Sequence, residues 1–124
     1  MTKPLALVVY ENLLPGSQLI NRLQDLGYRV QTLACLGDIG GQAVQEKPLL
    51  IIIDLSSSAG DPCAAIRELK ANAATAHIPI LAFSGPKHVS LHTAAHEAGA
   101  TLVANEAAVL AQLPELLEQL LHVD

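Results

Sequence analysis

Among the side chains able to do chemistry, Asp54 stands out by position. It follows Leu49-Leu50-Ile51-Ile52-Ile53, and five bulky apolar residues, three of them β-branched, suit a strand buried on both faces of a parallel sheet. In such sheets ligands gather beyond the C-terminal strand ends, so a carboxylate there is placed for binding or transfer. Asp is also common where a turn opens or a helix is capped, and that plainer role explains the residue as well. Glu11 follows the apolar run Leu5–Val9 in the same way, and Ser84 closes the run Ile78-Pro79-Ile80-Leu81-Ala82-Phe83. His88, His92 and His96 recur at i, i+4 and i+8. Two imidazoles one turn apart reach a common transition metal, but no acidic or cysteine partner accompanies them, and a solvated helix face is the more ordinary explanation. Ser84 and the histidines lack a hydrolase spacing signature. Gly37, Gly40 and Gly41 match neither common nucleotide-loop pattern. Cys35 and Cys63 have no metal-ligand spacing and read as small thiols of a reducing compartment.

The elements that must position these groups follow from periodicity. A first strand over Leu5–Val9 leads through Tyr10-Glu11-Asn12 to a helix beginning near Pro15-Gly16-Ser17, with Leu19, Ile20, Leu23 and Leu26 as one apolar stripe. Gly27 stops it in a left-handed conformation. Residues 28–33 alternate as a less buried strand at the sheet edge, and residues 38–45 are expected to be helical despite Gly40 and Gly41. After the strand before Asp54, a serine-rich loop leads to Asp61-Pro62, an N-cap with a proline in the first helical position. A fourth strand over 78–83, a helix over 87–98 stopped by Gly99 and a short strand over 101–104 follow. Pro114 would break a helix running through it, so an irregular or separate turn is expected over 106–112. The last helix then starts at Pro114 and buries Leu116, Leu117, Leu120 and Leu121.

Five strands alternating with helices, without repeat or linker, predict one α/β domain over residues 1–124. Its architecture is a doubly wound five-stranded parallel sheet in a three-layer sandwich. In the flavodoxin-like order 2-1-3-4-5 the direction switches between strands one and three, so Glu11 and Asp54 flank one crevice with Ser84 on the next strand over. At 124 residues the chain has the size of one ordinary domain. Its single Phe, two Tyr and absent Trp require an aliphatic core. A net charge of −5 offers no basic footprint for nucleic acid or an anionic membrane, and no apolar stretch approaches spanning length. A soluble, cytoplasmic protein is expected.

With these pieces in order, the chain resembles the receiver domains of bacterial response regulators, the CheY-like fold, over essentially its whole length. The resemblance is carried by Tyr10-Glu11 after the first strand, Gly27-Tyr28, and Lys47-Pro48 ahead of the Asp54 strand. It continues in His77-Ile78-Pro79-Ile80 leading to Ser84, and in Glu97-Ala98-Gly99-Ala100 before the last strand. The resemblance implies Asp54 as phosphoacceptor, Glu11, Asp54 and the main-chain carbonyl of Ser56 as ligands to Mg²⁺, and Ser84 as the switch hydroxyl. The chemistry is coherent, because a hard cation takes oxygen ligands and neutralises charge as a phosphoryl group is transferred.

The departures are as telling. Tyr10 stands where the family has a first carboxylate, and the family's lysine falls on Glu106, or on Asn105 if shifted by one. Glu106 would add negative charge to the pocket, with service as a metal ligand its compensating use. The last strand, Leu102-Val103-Ala104, lacks the aromatic that the family rotates on activation, and Ser56-Ser57-Ser58-Ala59-Gly60 replaces the usual loop. The expectation is therefore a stand-alone, non-enzymatic receiver-like module of a two-component phosphorelay, docking to a histidine kinase or a downstream effector, with phosphorylation impaired or absent. A homodimer through the fourth helix, fifth strand and fifth helix is a further option the family suggests. The runner-up is a functional Asp54 phosphoacceptor with Mg²⁺. A small-ligand-binding flavodoxin-like domain ranks third, because Glu11-Asn12-Leu13-Leu14 is no phosphate cradle and few aromatics exist to stack a flavin.

Overall fold

The computed structural model describes residues 5–9, 13–33, 39–55, 62–84 and 89–121. Five strands, β1 (Leu5–Val9), β2 (Arg29–Leu33), β3 (Leu50–Asp54), β4 (Ile80–Ser84) and β5 (Leu102–Asn105), form one parallel sheet in the order β2-β1-β3-β4-β5. The intervening helices are α1 (Leu13–Asp25), α2 (Ile39–Glu46), α3 (Pro62–Ala71) and α4 (Val89–Ala98), and α5 (Glu106–Ala111) and α6 (Leu113–Leu121) close the chain. The expected strand order and direction switch are observed, and β2 is an edge strand.

The core divides by strand alternation. Leu7, Val9, Ile51, Ile53, Ile80 and Ala82 face Ile39 and Ala43 of α2, Ala65, Ile66 and Leu69 of α3, and Ala95 and Ala98 of α4. Ala6, Val8, Leu50, Ile52, Leu81 and Phe83 face Leu19 and Leu23 of α1, Val109 of α5, and Leu113 and Leu117 of α6. This period-two division on strands buried throughout explains the unbroken apolar runs, since each face has its own helical layer. Each fully buried Leu, Ile or Phe side chain contributes about 1.5–3 kcal/mol.

Helix ends follow local chemistry. Gly27 and Gly99 close α1 and α4 at φ +94° and +119°, a region glycine enters without penalty. Pro15 lies in the first turn of α1, which begins two residues earlier than expected. Leu26 does not join the α1 stripe: it lies past the helix end and is 43% exposed. Of the irregular or separate turn expected over 106–112, the separate form is observed: a regular six-residue helix, α5, broken at Gln112. The last helix begins at Leu113, with Pro114 at its second position, where no intrahelical N–H is required. Of the four leucines assigned to its buried face, Leu117 is buried and Leu116 half-buried; the side chains of Leu120 and Leu121 lie outside the described residues.

Candidate functional site

The rim at the C-terminal strand ends is built by register. Asp54, the last residue of β3, pairs with Phe83, so Ser84 lies one step further along the neighbouring strand, and Ser84 in turn pairs with Asn105. Asp54, Ser84 and Asn105 thus end three adjacent strands at one edge. Asp54 is only 2% exposed. The Leu55 N–H donates to the Phe83 carbonyl at 2.8 Å, so the ladder continues past Asp54, and α3 begins only at Pro62. Asp54 is therefore not the cap of the next helix, which removes half of its plainer explanation. Ser84 and Glu106 are fixed here by their backbone positions, the former ending β4 and the latter opening α5. Glu11, Ser56 and Tyr10 lie outside the described residues.

Asn105 has a role that sequence reasoning missed. With φ −84° and ψ 160° it is the N-cap of α5, and its Oδ1 accepts a hydrogen bond from the Ala108 N–H at 2.7 Å. Helix therefore starts at Glu106, the position aligned with the family's lysine. The signal was available, since Asn immediately before Glu-Ala-Ala-Val-Leu is a helix-start pattern. Among the described residues, Arg22 and Lys70 sit in last helical turns, Arg29 opens β2, Lys47 lies between α2 and β3, and Arg67 lies on the exposed side of α3.

Asp54 supplies a hard oxygen at the rim, the side-chain oxygen of Asn105 is spent on its helix cap, and Glu11 and Ser56 lie outside the described residues. No group of three or more His, Cys, Asp or Glu residues able to hold a metal occurs among the described residues. Of the histidine stripe, His96 is exposed, the His92 side chain is not among those described, and His88 lies outside the described residues. Cys63 is a half-buried cysteine outside any disulfide and packed on the core, and Cys35 lies outside the described residues.

No family model and no curated protein matches the sequence. Solved structures do. A crystal structure from Chloroflexus aurantiacus, assigned as a response regulator, superposes with TM-score 0.90 at 20% identity, covering 98% of this chain and 100% of the other. The receiver domain of a sensor histidine kinase from Pseudomonas aeruginosa, with magnesium coordinated in its active-site cleft, gives TM-score 0.87 at 21% identity over 98% and 100%. The BeF3-activated N-terminal receiver domain of RstA from Klebsiella pneumoniae gives TM-score 0.83 at 18% identity over 96% and 99%. This chain has the receiver-domain fold. The receiver fold brings the end of β3 beside the end of β4, which in this chain means Asp54 beside Ser84. Among the described residues, no helix is long and apolar enough to cross a membrane.

Proposed function

We propose that this chain is a receiver-like signalling module of a two-component phosphorelay, acting in the cytoplasm by docking to a protein partner, with phosphorylation of Asp54 weakened or lost. The observation that carries the reading is the pairing of an Asp54 that is 2% exposed with a last strand running directly into helix at Glu106. In-line transfer needs an accessible carboxylate oxygen and cationic groups to neutralise the transferred phosphoryl charge. The burial of Asp54 disfavours the first requirement, and a glutamate at the lysine position disfavours the second. The partner is a histidine kinase or a downstream effector, neither nucleic acid nor membrane, and the module is not itself an enzyme. A second copy docking through α4, β5 and α5 is compatible with this reading, since β5 is an edge strand whose Leu102, Val103 and Ala104 are only half-buried.

The competing reading, Asp54 as a working phosphoacceptor with Mg²⁺ held by Glu11, Asp54 and Ser56, is supported by the strand-end position of Asp54 and by the magnesium-bound relative. Incubation with Mg²⁺ and acetyl phosphate, followed by intact-mass measurement, separates the two. The expected result is little or no phosphoryl adduct, with Glu106→Lys raising the labelled fraction about tenfold or more by restoring the cation. Efficient labelling of the natural chain that disappears in Asp54→Asn would overturn the proposal in favour of the phosphoacceptor.

A further inference from the structure

Helix α2 carries residues that oppose its own helicity at both ends. Its eight residues, Ile39–Glu46, are fewer than the dozen or so that an isolated helix needs, and only Ile39 and Ala43 are buried. Gly40 and Gly41 occupy its first turn. Neither has a positive φ, and neither is required for space: a Cβ on Gly41 would meet nothing within 4 Å, and one on Gly40 would meet only the Glu68 side chain at 3.5 Å, an ordinary contact. Alanine would fit both positions and favour helix. At the other end the case is inverted. Lys47, whose N–H donates to the Ala43 carbonyl at 3.0 Å, closes the helix at φ +49°, a conformation strained for a side chain with a Cβ. Helices α1 and α4 place glycine in that role. In α2, glycine stands where a side chain would serve and a side chain stands where glycine would serve.

Among the described residues, what holds α2 down is correspondingly slight. Ile39 and Ala43 pack into the cluster containing Val9 and Ile53, and Gln31 of β2 donates from Nε2 to the Gln42 Oε1 at 3.0 Å. Gln45, Glu46 and Val44 face solvent, Val44 being 41% exposed. By contrast α3, with ten residues, buries Ala65, Ile66 and Leu69 and is tied through Lys70 to the carbonyls of Ala76 and Ile78.

We propose that α2 is a detachable strap, which unwinds and leaves the sheet without global unfolding and thereby uncovers apolar surface around Val9 and Ile53, immediately before Asp54 in β3. This opening is a property of α2 itself and does not depend on whether Asp54 is phosphorylated. Local opening of this kind is expected where few apolar groups are buried and the helix is intrinsically weak.

Native-state amide exchange on the full chain tests it. The amides of residues 43–47 should exchange at least about tenfold faster than those of β1 and β3, because they open by the local route. Gly40→Ala with Gly41→Ala should slow them about 20-fold, near fivefold for each glycine replaced. Lys47→Gly should slow them further, and Ile39→Ala should speed them. Exchange of 43–47 at the same rate as the strands, or no slowing in the double-alanine variant, would overturn the proposal.

Discussion

The two ends of the sheet treat their polar side chains differently. At the base, where the strands begin, polar groups are committed to main chain. The Thr75 hydroxyl, 1% exposed, donates to the Leu69 carbonyl at 2.6 Å, and Lys70 Nζ donates to the Ala76 and Ile78 carbonyls at 3.2 and 3.1 Å. The Thr101 hydroxyl accepts from the Ile80 N–H at 3.1 Å while the Thr101 N–H donates to the Ile80 carbonyl at 2.9 Å. At the rim, the ladder between β3 and β4 is closed past Asp54 by main chain, Leu55 N–H to Phe83 carbonyl, and the Asn105 side chain caps α5. The contrast teaches that main-chain bonding carries the β3–β4 ladder past Asp54 at the rim, whereas side chains tie the base to the main chain.

The largest effect expected from this contrast is at the base. A Cβ at Gly99 would lie 2.9 Å from Lys70 Cγ at a φ of +119°, so Gly99→Ala combines backbone strain with a clash. It should cost about 2–3 kcal/mol in chemical denaturation. A loss under about 0.5 kcal/mol would mean the base is looser than its bonds imply.

Next comes a matched pair. Thr75→Val removes a buried donor and leaves the Leu69 carbonyl wanting, with an expected loss of about 1–2 kcal/mol. Asp54→Asn at the rim should change stability by no more than about 0.5 kcal/mol in either direction, because the amide keeps the shape of the carboxylate and one acceptor oxygen. A loss at Asp54 equal to that at Thr75 would break the contrast and return Asp54 to a structural role.

The smallest effect is alkaline. Burial lowers the Lys70 ammonium below its ordinary 10.5, so across the interval just below 10.5 the unfolded chain binds more protons, and stability rises as pH climbs through it. Burial raises the Tyr28 phenol above its ordinary 10.0, so the folded chain keeps a proton the unfolded chain has lost, and stability falls as pH passes upward beyond 10.0. Lys70→Met should erase the rise and Tyr28→Phe should soften the fall in urea midpoints taken from pH 8 to 11. If Lys70→Met leaves the profile unchanged, the desolvated clamp at the base is not felt.

Local order was legible from residue types alone. Apolar runs buried on both faces, Gly27 and Gly99 as left-handed stops, and Pro62 at the first position of α3 each follow from the covalent properties of one or two neighbours, and in sequence they specify five strands and their helices. From that alternation the parallel layered sheet followed too, because right-handed crossovers leave few other arrangements. Tertiary structure decided what depends on which surface covers a residue. Leu26 continues the α1 periodicity yet is exposed, because the helix ends at Asp25. Asn105 carries a helix-start signal in the sequence, but that β5 passes into α5 with no loop between them was decided by the fold. The sequence already put Ser84 on the strand next to that of Asp54; the register that sets them one step apart and the burial of Asp54 belong to this second class, since both are set by packing of the whole sheet.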